Sequence, residues 1–188
     1  MKILAVSGSL RSGSWNTMLL ENAAELLPGD AELELYDGLR AIPPYDEDDD
    51  VQPAPPAVAR FRDAIAGADA LLFATPEYNS SVPGQLKNAL DWASRPLATN
   101  PLRNKPVAVI GSSTGMFGAV WAQAELRKVL AATGARVAEV EVAVGHAQTR
   151  FDEDGRLVDA EIREQLQDAV GVLVEEVLVA AERRAVPV

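Results

Sequence analysis

Ala-Leu-Leu-Phe-Ala-Thr-Pro-Glu-Tyr-Asn-Ser-Ser-Val-Pro-Gly-Gln-Leu-Lys-Asn-Ala-Leu-Asp-Trp, residues 70–92, decides the fold. Its first five residues are a continuous apolar run, the pattern of a parallel strand covered on both faces. Polarity changes abruptly at Thr75. Pro76 and Pro83 stiffen the loop that follows, Tyr78 offers a ring, and the Asn79 amide can both donate and accept hydrogen bonds. Leu86, Ala89, Leu90 and Ala93 then recur at helical spacing. A buried strand thus runs through a rigid polar loop into a helix. A flat ligand with alternating donors and acceptors along its edge fits that loop.

Further strand-like runs lie at residues 2–6, 31–35, 107–110 and 136–140, and they alternate with helical patterns over about 14–27, 118–132 and 159–184. Five strands separated by helices read as an open α/β sheet, with right-handed crossovers between parallel strands. The 188 residues suit a single domain, 1–188. Residues 42–56 break the rhythm with five prolines around an acidic run at 46–50, and they read as a solvated surface loop.

Composition narrows the function. A formal net charge of -11 argues against a nucleic-acid partner, which requires clustered Lys and Arg. With no cysteine, disulfides, thiolate nucleophiles and Cys-ligated metals are excluded. The single histidine, His146, disfavours a His-based metal site and reads as a solvated loop residue. No run approaches the roughly 20 apolar residues of a membrane span, and the N-terminus lacks a signal-peptide pattern. The expectation is a cytoplasmic protein with no membrane partner.

Ligands of an open α/β sheet bind beyond the carboxyl ends of its strands. After the first strand, residues 8–16 combine two glycines with Ser9, Arg11, Ser14 and Asn16 ahead of a helix. Free N–H groups there, together with a guanidinium fork, suit a terminal phosphate. The loop lacks both the Gly-Lys-Ser/Thr ending of a triphosphate site and the G-x-G-x-x-G dinucleotide pattern. Trp15 borders either the ligand or a partner subunit. After the fourth strand, residues 111–118 again set small residues, Ser112, Ser113, Thr114 and Gly115 among them, before a helix. Three such loops on one sheet edge point to a single crevice.

On these residues the chain resembles the NADPH-dependent FMN reductase family. The likeness rests on Gly8-Ser9-Leu10-Arg11 with Ser14 and Asn16, on Pro76-Glu77-Tyr78-Asn79 with residues 83–92, and on residues 111–118 with Gln123 and Arg127, and it spans about residues 2–140. It implies a flavodoxin-like three-layer sandwich with a five-stranded parallel sheet of order 2-1-3-4-5 and helices on both faces. It further implies that Ser9, Arg11, Ser14 and Asn16 grip the FMN phosphate, that Pro76, Glu77, Tyr78 and Asn79 line the isoalloxazine edge, and that Ser112, Ser113, Thr114 and Gly115 approach from the third loop. Glu77 is expected to contribute its backbone. NADPH or NADH would be the co-substrate, and the electron acceptor a quinone, free flavin, azo compound or metal oxyanion. A homodimer or homotetramer is implied, with the third helix near the interface.

Flavin chemistry needs positioning and electrostatics from the protein, so no side chain is expected as catalytic acid or base. Two ligands using one open face in turn predict ping-pong kinetics. The principal alternative is a flavodoxin-type electron carrier acting with protein partners, and Arg11 speaks against it. A phosphoryl-accepting receiver domain is excluded because Ser7-Gly8-Ser9 and Thr75-Pro76 stand where it requires acids.

Overall fold

The computed structural model describes residues 1–185. In chain order the elements are β1 (Lys2–Ser7), α1 (Trp15–Ala24), β2 (Glu32–Leu35), α2 (Pro56–Ala66), β3 (Ala70–Thr75), α3 (Gly84–Ala93), β4 (Pro106–Ser112), α4 (Val120–Ala132), β5 (Arg136–Val137), β6 (Ala143–Val144) and α5 (Ala160–Ala185). The strands form one parallel sheet of order β2-β1-β3-β4-β5, with β6 also pairing to β4. This is the flavodoxin-like order.

The central strands β3 and β4 are buried along their whole length, and their side chains alternate between two cores as strand geometry requires. Leu4, Val6, Leu71, Phe73, Val107 and Val109 face α2, α3 and α4. Ile3, Ala5, Leu72, Ala74, Ala108 and Ile110 face α1 and α5. Helices therefore cover both faces, giving three layers.

Two elements differ from the sequence reading. The expected strand at 136–140 is broken: its run ends at Val137, and β4 is met again only by Ala143–Val144. The interruption is a tight turn in which the Val140 N–H donates to the Ala138 carbonyl at 3.0 Å. Helix α2, in turn, starts within what read as the end of an irregular loop. Pro56 occupies its first turn, where a missing N–H costs nothing, and Val58, Phe61 and Ile65 are its buried face. The acidic run is also less free than expected. Asp50 pairs with Arg62 at 2.9 Å, with both side chains only 12–13% exposed.

The loop after β4 is seated against β6. Gly118 adopts φ +58, and a Cβ there would stand 2.4 Å from the Ala143 carbonyl carbon. Gly118→Ala is therefore expected to cost about 2 kcal/mol or more, from backbone strain plus overpacking. The measurement is urea denaturation, read as a lower midpoint at constant slope. An unchanged midpoint would show that the loop shifts freely.

Candidate functional site: three loop tips on one sheet edge

The loops after β1, β3 and β4 open side by side at the carboxyl edge, and glycine lets them touch. The Gly8 N–H donates to the Ala74 carbonyl at 2.8 Å. A Cβ on Gly8 would lie 2.8 Å from Leu86 Cδ2 and 3.3 Å from Pro76 Cδ, and one on Gly111 would lie 2.8 Å from the Thr75 carbonyl oxygen. Gly8 therefore serves loop-to-helix packing.

In the first loop, Ser14 is buried and its Oγ accepts from the N–H groups of Asn16 (3.2 Å) and Thr17 (3.4 Å), which makes it the N-cap of α1. Its hydroxyl proton stays available to an acceptor. Ser9 Oγ accepts from the Arg11 N–H at 3.4 Å. Among the described residues nothing accepts from the N–H groups of Ser12, Gly13, Ser14 and Trp15. Such a run of donors at a helix start is suited to an anion. The Arg11 side chain is exposed, with its guanidinium carbon 5.9 Å from the centre of the Trp15 ring. Trp15 stacks on Phe151, with ring centres 5.6 Å apart.

The Asn16 side chain is engaged within the protein. It is buried, its Nδ2 donates to the Ser112 carbonyl at 3.0 Å, and its Oδ1 accepts from the Ser112 N–H at 3.0 Å. Both ends of the amide thus bridge the first and third loops, across 96 positions of chain.

The ring-side loop carries a tight turn. Asn79 (φ 53) and Ser80 (φ 58) are both left-handed, and the backbones of Tyr78 and Ser81 exchange hydrogen bonds of 3.2 and 3.1 Å, the features of a type I′ turn. Tyr78 and Asn79 are exposed at its tip, while Pro76 is buried at its base. The Glu77 side chain points away from the loop tip: its carboxylate accepts from the Ala122 N–H at 3.0 Å, capping α4. In return Glu125, on α4, accepts from Ser81 Oγ at 2.6 Å and from the Val82 N–H at 3.2 Å. Two carboxylates thereby lace the loop to the helix. The Ser81 hydroxyl, then the Val82 N–H, hold the Glu125 carboxyl below the ordinary glutamate range, with Lys128 and Lys87 adding to the effect.

In the third loop Ser112 is buried, and its Oγ has no hydrogen-bond partner among the described residues. The Ser113 N–H donates to the Val144 carbonyl at 3.0 Å, and the Gly115 carbonyl accepts from the His146 N–H at 2.9 Å. Thr114 and Gly115 are exposed. His146 itself is exposed, with its backbone supporting this loop. Glu125 went unnoticed in the sequence, since nothing local marks a helix carboxylate as the partner of a distant loop.

The family model for NADPH-dependent FMN reductases matches residues 1–149. An NAD(P)H-dependent FMN reductase of Pseudomonas aeruginosa is 48% identical over 174 residues, covering 92% of this chain and 93% of that protein. A 2-hydroxy-1,4-benzoquinone reductase of Burkholderia sp is 43% identical over 169 residues, with 89% and 91% covered. Among solved structures, the flavoenzyme NAD(P)H:(acceptor) oxidoreductase FerB of Paracoccus denitrificans superposes with a TM-score of 0.83 at 35% identity, covering 95% of this chain and 97% of that one.

The Glu125 clasp makes the site edge sensitive to acid. A carboxyl lowered by folding stabilises above its ordinary range, and that contribution is lost as pH falls through the folded value. The stability difference between the wild type and Glu125→Gln is expected at neutral pH, shrinking as pH drops below the ordinary glutamate range. Denaturation midpoints measured across that window check it. A difference that stays constant with pH would remove the carboxylate from this role.

Proposed function

The chain belongs to the NADPH-dependent FMN reductase family, and from that premise we propose that it passes hydride equivalents from NADPH or NADH, through bound FMN, to a small acceptor such as a quinone. It is an oxidoreductase with FMN as cofactor and a nicotinamide as reductant. The observation that carries the reading is the row of unpaired N–H groups at residues 12–15 beside Arg11, set next to two rigid loop tips on the same edge.

That donor set fits the cofactor. The N–H groups of residues 12–15, the Ser14 hydroxyl proton and the Arg11 fork would hold the phosphate. Pro76, Glu77, Tyr78 and Asn79 would border the ring on one side, and Ser113, Thr114 and Gly115 on the other. When bound, the flavin supplies the hydride chemistry. The residues named here bind, orient and present polar groups already fixed in place, an arrangement that lowers reorganisation during electron transfer. No side chain is required as proton donor or acceptor. Ser9, through the Arg11 N–H, and Asn16, through Ser112, support the grip from behind.

The nicotinamide and the acceptor would use one open face in succession, with free flavin, azo compounds and metal oxyanions as further candidate acceptors. Assembly as a homodimer or homotetramer is supported by the exposed apolar group Met116, Phe117 and Trp121 beside the ring loop. Residence in the cytoplasm, with 1–188 as a single-domain chain, is part of this reading. Among the described residues no helix is long and apolar enough to cross a membrane.

The direct test is the visible spectrum after incubation with FMN and desalting. A colourless protein would sink the proposal. Arg11→Ala is expected to weaken FMN by about tenfold or more, the effect of losing one charge-assisted contact, while riboflavin binding changes little; equal losses would take Arg11 out of the phosphate grip. Initial rates with NADPH and a quinone are expected to give parallel double-reciprocal lines, and intersecting lines would rule out alternate occupancy of one face.

A further inference from the structure

Beside the phosphate loop lies a cleft of about 380 Å³, bounded by Ser9, Arg11 and Ser12 on one side and by Tyr36, Asp37 and Arg40 on the other. Arg40 belongs to a single helical turn, Leu39–Ala41, which is firmly held. Leu39 and Ile42 are buried, and the Gln85 side-chain amide donates to both of their carbonyls, at 2.8 and 2.9 Å. From that base the Arg40 guanidinium donates to the Leu10 carbonyl. The N–H of the same peptide unit, that of Arg11, donates to Ser9 Oγ. The Leu10–Arg11 peptide is thus held at both ends, and its plane sets the direction in which Arg11 leaves the loop.

The charges of the cleft are unbalanced. No carboxylate among the described residues pairs with Arg11 or Arg40, and Asp37, the acid that lines the same cleft, pairs with Arg60 at 3.4 Å. In a chain of net charge -11, two arginines facing one cleft without an acid partner mark a place for an anion. A phosphate monoester carries about -1.5 to -2 charges at neutral pH, more than one guanidinium offsets.

We propose that Arg40 is a positioning residue of the phosphate grip, fixing the Leu10–Arg11 peptide and adding a second positive charge for the phosphate of FMN. The proposal rests on the FMN reading above. Arg40 acts through Arg11 and through its field, and Gln85 carries the same constraint back to the first turn of α3, behind the ring-side loop.

The test compares FMN with riboflavin, by flavin fluorescence titration at several salt concentrations, for the wild type, Arg40→Met and Arg40→Lys, with thermal melts as the folding control. Arg40→Met is expected to weaken FMN about tenfold or more, to leave riboflavin within about twofold, and to flatten the salt dependence of FMN affinity. Arg40→Lys is expected to restore the salt dependence and part of the affinity, because it keeps the charge without the fork. It also carries the comparison should Arg40→Met fail to fold. Equal losses for both flavins would reduce Arg40 to a scaffold residue, and unchanged FMN affinity would remove it altogether; either result overturns the proposal. A wild type that binds no FMN overturns the underlying reading as well, and is recognised before any variant is made.

Discussion

Everything at the site depends on how closely three backbones approach at the carboxyl edge of the sheet. Because β1, β3 and β4 are neighbours in the order β2-β1-β3-β4-β5, their following loops emerge together. Because Gly8 and Gly111 carry no Cβ, nothing stands between the first loop and Pro76, or between β4 and the Thr75 carbonyl. The Asn16 amide then ties the first loop to the third through both atoms of the Ser112 peptide. A side chain at either glycine would splay the loops apart and separate the donors of residues 12–15 from the turn at 78–81. The ligand crevice is therefore set by backbone contact first and by polar side chains second.

Rigidity comes from an unexpected use of acid. Ala119 stands just before α4 in a left-handed conformation and supplies no side-chain cap, so the first-turn N–H groups of that helix need an acceptor from elsewhere. Glu77 provides one, in the favourable field of a helix N-terminus. Glu125 returns the contact by taking the Ser81 hydroxyl and the Val82 N–H. A loop that would otherwise be a flexible polar connection becomes part of the α4 framework. For chemistry carried by a bound ring, that stiffness is the contribution the protein can make: dipoles held in place before the reaction need not reorganise during it.

Local pattern revealed the buried strands and most helices, because apolar alternation and helical spacing are written in neighbouring residues. It failed where the decisive contact is distant or the local signal is mixed. Residues 136–144 alternate as a strand should, and no Gly or Pro marks the turn at Val140 that breaks it. The spacing of Val58, Phe61 and Ile65 was present, but the prolines at 53, 55 and 56 masked the start of α2. At the site, residue types at the three loop tips pointed to a phosphate and a flat ring. The contacts that hold them did not follow from type: the Asn16 amide bridges two loops, and the Glu77 carboxylate caps α4. Both partners lie at least 45 positions away, and a sequence read locally does not contain them.

An acidic protein with a cleft suited to an anion gains from holding its densest run of carboxylates away from it, and α3 shows how this is done. Its polar side chains at Gln85, Asn88 and Trp92 hold the loop that follows β2 as a ladder: Gln85 takes the Leu39 and Ile42 carbonyls, Asn88 takes the Pro43 carbonyl and the Tyr45 N–H, and Trp92 Nε1 again takes Pro43. Arg62 completes the descent by joining Asp50 to the Trp92 carbonyl. The loop therefore begins at the cleft with Asp37, paired with Arg60, and with Arg40, and its run of acids at 46–50 comes later, with Asp50 tied through Arg62 to the last turn of α3. Gln85 to Trp92 spans about 10 Å of helix at 1.5 Å per residue, against a screening length of about 8 Å at physiological salt. A charge held one such span away along α3 is largely screened, whereas Arg11 and Arg40 line the cleft itself. Net charge describes how the molecule meets others at a distance; the field inside the cleft is set by the few charges that line it, Arg11 and Arg40 against Asp37.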